Sequence, residues 1–122
     1  MDKLTSQEEE VMLVVWAVGE GNVKTFLESM EVPKPPYTTL ASTIKNLEKK
    51  KYLSSRPIGN LYLYKPIVSH EEYKRKFMHG FVKDYFGSSY KDLVNFFVEQ
   101  KRLSAKELKE IIELIEEKKN SK

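Results

Sequence analysis

Apolar positions recur at helical spacing in the first third of the chain, alternate briefly in the middle, and return to helical spacing to the end. Val11, Met12, Val15 and Trp16 form one stripe at i, i+1, i+4, i+5, which predicts a core helix. A capping box at Ser6-Gln-Glu-Glu9 is expected to open it, and Gly19-Glu-Gly21 to end it. Asn22 can cap a shorter helix with Val23, Phe26, Leu27 and Met30 inward. The prolines of Val32-Pro-Lys-Pro-Pro-Tyr37 cannot continue a helix, so a turn follows. A third helix then places Leu40, Ile44 and Leu47 on one narrow side, opposite Thr38, Ser42, Lys45, Asn46 and Lys49. Leu61, Tyr62, Leu63 and Tyr64 alternate with period two, and Gly59-Asn60 supplies positive φ for a hairpin turn.

Beyond Pro66, Tyr73, Phe77, Phe81 and Tyr85 repeat at i+4 between His70 and Gly87, with Met78, Val82 and Phe86 alongside. Tyr90 to Gln100 carries Leu93, Val94, Phe96, Phe97 and Val98. A second box, Ser104-Ala-Lys-Glu107, opens a helix with Leu108, Ile111, Ile112 and Ile115, expected to fray over Glu116 to Lys122. A small domain has little interior left to cover three more apolar-faced helices. A second copy is the simplest cover. The chain is therefore expected to be mainly α with a small β-hairpin wing. Residues 1–67 would form a winged helix-turn-helix domain, and residues 68–122 a helical dimerisation region.

Composition narrows the chemistry. With 122 residues, 40% hydrophobic and 11% aromatic, the chain holds about one domain with a real core. Zero cysteines exclude a disulfide framework, a thiolate zinc site and a cysteine nucleophile. The run Val11 to Val18 is too short to span a bilayer, and residues 1–10 lack the basic start and apolar stretch of a signal peptide. No membrane insertion and a cytoplasmic location are expected. Net charge is only +3, but between Pro36 and Pro66 six cations (Lys45, Lys49, Lys50, Lys51, Arg56, Lys65) face one anion, Glu48. This concentration coincides with the hydroxyl-lined third helix, whose outer side suits a major groove. From the helical wheel, Thr38, Ser42, Thr43 and Asn46 would face bases, and Lys45, Lys49, Lys50 and Arg56 would meet phosphates.

Along nearly its full length the chain resembles the penicillinase repressor family. Ser6-Gln-Glu-Glu-Glu-Val-Met-Leu-Val-Val-Trp16 is similar to the family's first helix. Thr39-Leu-Ala-Ser-Thr-Ile-Lys-Asn-Leu-Glu-Lys-Lys50 resembles its recognition helix, which adds Thr39 to the DNA-binding set. Leu61-Tyr-Leu-Tyr-Lys-Pro66 resembles its outgoing wing strand, and Phe97-Val-Glu99 with Leu103-Ser104 its dimerisation region. The resemblance implies a homodimeric repressor on double-stranded operator DNA with inverted half-sites. The apolar faces of the C-terminal helices would then supply the dimer contacts, through Tyr73, Phe77, Phe81, Tyr85, Leu93, Phe96, Phe97, Leu108, Ile111, Ile112 and Ile115. The resemblance also implies relief of repression by cleavage in the C-terminal region after signalling by a membrane-bound sensor metalloprotease, which in the best-known systems detects β-lactams. The family's scissile Asn-Phe pair aligns with Phe96-Phe97, while Asn95-Phe96 lies one residue earlier. The family's serine before the recognition helix is Pro36 here, so a cap at Tyr37 or Thr38 is expected. Its usual glycine after Lys-Lys is Lys51. The cysteine cluster of a copper-responsive branch is absent.

An enzyme has poor raw material. His70 and His79 are nine residues apart on one helix, not at i+4, and Gly59, Gly80 and Gly87 make no phosphate loop. No cofactor, catalytic residue or metal site is expected. The alternative is a winged-helix adaptor that binds protein without specific DNA binding; its binding would be insensitive to salt.

Overall fold

A computed structural model of the chain describes residues 3–120. In order it places α1 (Ser6–Val18), α2 (Val23–Glu28), α3 (Tyr37–Lys49), β1 (Leu53–Ile58), β2 (Leu61–Pro66), α4 (His70–Phe86), α5 (Tyr90–Glu99) and α6 (Ala105–Asn120). The chain divides into two units, Met1–Arg75 and Lys76–Lys122.

In the first unit, α1 is capped by Thr5, one residue before the expected Ser6. The Glu8 amide donates to Thr5 Oγ1 at 3.1 Å, and the Thr5 amide donates to Glu8 Oε1 at 2.8 Å. Both registers satisfy the box pattern; the one adopted turns Glu8 inward and leaves Glu9 to accept from the Tyr73 hydroxyl. Val11, Met12 and Val15 are buried, as their stripe predicts. Asn22 caps α2 through the Thr25 amide at 2.8 Å. Val23 and Phe26 of that helix join Leu40, Ile44 and Leu47 of α3 in the core.

Antiparallel β1 and β2 pair from Leu53–Pro66 out to Ile58–Leu61, with Gly59-Asn60 as the two-residue loop. Only Gly59 of the two takes positive φ, at 58°. Gly21 adds a short third partner: its amide donates to the Tyr64 carbonyl at 3.0 Å, and the Tyr64 amide donates back at 2.8 Å. A Cβ on Gly21 would lie 3.0 Å from the Thr25 side chain and 3.3 Å from the Phe26 ring, so a larger residue here would press on the start of α2. The predicted alternation reaches the core only at the base of the wing. Tyr64 is buried, whereas Leu61 and Tyr62 are exposed.

The first unit extends to Arg75 rather than ending at residue 67. Trp16 Nε1 donates to the Val68 carbonyl at 2.9 Å, and the His70 ring stacks on Trp16 with centroids 4.6 Å apart. Tyr73 packs on the same core, its ring 5.2 Å from Trp16 and 6.1 Å from Tyr52. Burial and the hydrogen bond to Glu9 push its phenol pKa up. Tyr73 is therefore a core residue of the first unit and not the dimer-surface residue expected of it.

The second unit buries Val82. Phe81 stands 5.0 Å from Tyr85, and Phe86 meets Phe96 edge-on at 5.8 Å. Phe77, Tyr85, Phe96, Phe97, Ile111, Ile112 and Ile115 remain exposed, while Phe81, Leu93 and Leu108 are half-buried. Ser104 and Glu107 form the second capping box as expected, each amide donating to the other's side chain at 3.1 Å. The helix it opens continues to Asn120 instead of fraying from Glu116; Ser121 and Lys122 lie outside the described residues.

Two local preferences oppose α3, and tertiary burial overrides both. Its N-cap is Pro36, which offers no side-chain acceptor, so the expected move to Tyr37 or Thr38 does not occur. At its other end Lys51 takes φ 67°, the left-handed position usually filled by glycine. The Lys51 amide donates to the Glu48 carbonyl at 3.0 Å and the Tyr52 amide to that of Leu47 at 3.0 Å, a complete Schellman closure around a lysine. A missing cap costs about 1 kcal/mol and a left-handed non-glycine about 1–2 kcal/mol. Burying Leu40, Ile44 and Leu47 contributes about 1.5–3 kcal/mol each, which is larger. Lys51→Gly should therefore raise stability by about 1 kcal/mol in urea unfolding with an unchanged m-value; a loss of stability would show that the lysine is not strained there.

Candidate nucleic-acid interface

The inward side of α3 fixes what its outer side can do. Leu40, Ile44 and Leu47 are at most 1% exposed. That leaves Thr38, Ser42, Lys45, Asn46 and Lys49 exposed along the opposite face, without a carboxylate. Thr39 is half-buried at the margin. Thr43, expected to face bases, is only 7% exposed, and its hydroxyl donates to the Thr39 carbonyl at 3.0 Å. It sits at the edge of the apolar side and satisfies itself within the helix, so it is withdrawn from the set.

Two of the six cations are also engaged. Lys50 Nζ lies 2.6 Å from Glu8 Oε1 and donates to the Lys3 carbonyl at 3.0 Å. Its position ties the end of α3 to the start of α1, so a phosphate would have to compete with Glu8 for it. Arg56 of β1 donates through Nε and Nη2 to both oxygens of Glu20, each at 3.1 Å. Each partner of this exposed pair favours the other's charged form, Glu20 shifting down and Arg56 up. The arginine therefore faces a carboxylate of its own chain. Lys45, Lys49, Lys51 and Lys65 are exposed and make no ion pair among the described residues. Lys51 and Lys65 were counted in the basic stretch but not among the expected contacts. Glu48, the stretch's single anion, accepts from the Ser55 hydroxyl.

A groove of about 400 Å³ separates the outer side of α3 from the wing. Tyr37, Ala41 and Lys45 line one wall, and Asn60, Leu61 and Tyr62 the other. Helix and wing thus form one continuous surface: hydroxyls, an amide and lysines on the helix, larger apolar groups on the hairpin. Hydroxyls and amides can pair with base edges, and lysines with phosphates. Among the described residues there is no cluster of side chains fit to hold a metal ion, and no helix is long and apolar enough to cross a membrane.

Two helices, a turn, a third helix with a solvent-facing polar side and a hairpin wing make a winged-helix fold. The chain belongs to the penicillinase repressor family, whose sequence profile matches residues 4–117, and with it to the DNA-binding transcriptional repressors rather than the enzymes. The penicillinase repressor of Bacillus licheniformis is 26% identical, covering 98% of this chain and 94% of that one. The methicillin resistance regulatory protein MecI of Staphylococcus aureus is 24% identical, covering 95% of each. Among solved structures, the adhesin competence repressor AdcR of Streptococcus pyogenes is similar at a TM-score of 0.44 and 15% identity, covering 97% of this chain and 81% of that chain.

The Glu8–Lys50 pair makes stability depend on acid. Burial raises the Glu8 pKa, but the Lys50 hydrogen bond, the Thr5 amide and the Lys50 charge together outweigh it and hold the carboxyl below its ordinary 4.5. A depressed folded-state pKa contributes stability above the unfolded value, which is lost as pH falls through the folded value. Glu8→Gln should therefore flatten the decline in melting temperature below about pH 4.5. Lys50→Ala, which strands the buried carboxylate, should cost about 1–3 kcal/mol at neutral pH. An acid limb unchanged in Glu8→Gln would contradict this account.

Proposed function

We propose that two copies pair through the C-terminal helices and occupy an operator of two inverted half-sites, with one α3 in each major groove. The observation that carries this reading is the outer side of α3, where Thr38, Ser42, Lys45, Asn46 and Lys49 are all exposed on a helix anchored by its opposite side. Asn46 contacts a base edge, Thr38 and Ser42 lie beside it, and Lys45 and Lys49 meet phosphates. Pairing is supported by the apolar side chains that the second unit leaves exposed, notably Ile111, Ile112, Leu114 and Ile115 along α6. A twofold dimer matches an inverted repeat, and the second half-site then binds without a second entropic cost.

Repression is relieved by cleavage within α5, at Asn95–Phe96 or Phe96–Phe97, after signalling from a membrane-bound metalloprotease sensor. All three side chains are exposed, and either cut separates α6 from the DNA-binding unit. The relatives' roles in penicillinase repression and methicillin resistance regulation support a β-lactam-resistance output.

Asn46→Ala should cost about 1–3 kcal/mol at one operator position while sparing variants already changed there, as read by binding to a panel of single-base operator mutants. A uniform loss across the panel would remove Asn46 from base readout. Lys49→Ala should reduce the slope of log affinity against log salt by about one. The double variant I112D/I115D should sediment as a monomer and bind the full operator about 100-fold more weakly. A dimer with wild-type affinity would place the pairing surface elsewhere.

A further inference from the structure

A second concavity in the first unit lies apart from the outer side of α3. It is a cleft of about 890 Å³ between α1 and the connection at residues 29–35 that leads into α3. Leu13, Val14, Ala17 and Val18 form its α1 wall, and Met30 and Val32 the facing one. Leu40 and Thr43, from the inner side of α3, also line it. Leu13 is 48% exposed and Val32 82%, so apolar surface meets water on both walls. No aromatic ring lines the cleft.

The polar groups of the cleft are mainly of one kind. Thr43, only 7% exposed, gives its hydroxyl hydrogen to the Thr39 carbonyl, and its oxygen accepts from no donor among the described residues. Ser29 likewise gives its hydrogen to the Thr25 carbonyl at 3.2 Å. Lys34, the one cation in the lining, directs its ammonium to the Glu28 carbonyl at 3.2 Å. Glu10 and Glu31 add two exposed carboxylates that make no ion pair among the described residues. An apolar cleft whose open hydrogen-bonding positions are mainly acceptors, two of them charged, complements an apolar body that carries a cationic donor. We propose that this cleft is a binding site for a small aliphatic ammonium compound, with Glu10 and Glu31 at its charged end and the side chains of both walls along its body. None of Thr38, Ser42, Lys45, Asn46 and Lys49 lines the cleft, so the bound compound leaves the outer side of α3 uncovered.

Compounds that share one aliphatic cage and differ in charge test this. Aminoadamantane, adamantanol and adamantanecarboxylate are each titrated into the full-length protein at neutral pH and followed by amide NMR. The ammonium should bind about tenfold more tightly than the alcohol, and the carboxylate more weakly than the alcohol. Non-specific attraction would give the reverse order, because the chain carries a net charge of +3. Shifts should concentrate at Leu13, Ala17, Met30 and Val32. E10Q/E31Q, which alters two exposed side chains, should lower the affinity for the ammonium to that for the alcohol and leave the alcohol's unchanged. Equal affinities for ammonium and alcohol, a carboxylate-first order, an ammonium preference that survives E10Q/E31Q, or shifts confined to the second unit would each overturn the proposal. Absence of binding by all of the compounds would overturn it too and leave the cleft to a segment of a protein partner.

Discussion

Leu40, Ile44 and Leu47 must all be buried at once, and α3 has one rotation about its axis that achieves this. A step of one residue turns a helix by about 100°, which would bring Lys45 or Asn46 into the core. The outer face is thus set by the inner one. Capping and terminal geometry do not supply this: the helix begins at a proline without a side-chain acceptor and ends through a left-handed lysine. Glu8 and Lys50 secure the far end by joining it to the first turn of α1, across 42 residues of sequence. The outer surface of α3 is consequently mounted on the most deeply packed part of the unit, where small displacements are resisted by close packing.

What was legible in the sequence follows the range of the interaction that decides it. The two sides of α3 arise from the helical repeat within 13 residues, so a wheel suffices to separate them. The hairpin turn was equally local, because a Gly-Asn pair between alternating residues leaves few alternatives. Thr43 misled because it lies beside the apolar stripe, where the direction of a short hydroxyl depends on packing. The ion pairs of Lys50 and Arg56 were hidden for a different reason. Their carboxylate partners stand 42 and 36 residues away, and neither spacing leaves a pattern along the chain. Counting cations identified the basic stretch; only the fold shows which of them it has already spent.

Aromatic spacing also concealed the division between the units. Tyr73, Phe77, Phe81 and Tyr85 read as one i+4 stripe, yet Tyr73 packs with Trp16 and Tyr52 while Tyr85 is exposed. The stripe runs through the point at which the chain divides, and periodicity alone does not register that change. In the second unit, large apolar groups on all three helices remain in water in a single chain. Their hydration opposes the isolated state and favours a covered one. Under the proposed pairing each copy holds one reading face and a separate apolar surface, so that assembly and DNA binding would be coupled.

The central claim is that paired copies present two α3 faces to one duplex. Footprinting a titration of the full-length protein on its own upstream DNA, with the bound stoichiometry measured at low and high salt, addresses it most directly. The account predicts protection of an inverted repeat that saturates at two protomers and weakens steeply as salt rises. Protection of a lone half-site by a single protomer, or no protection at any salt, would contradict it.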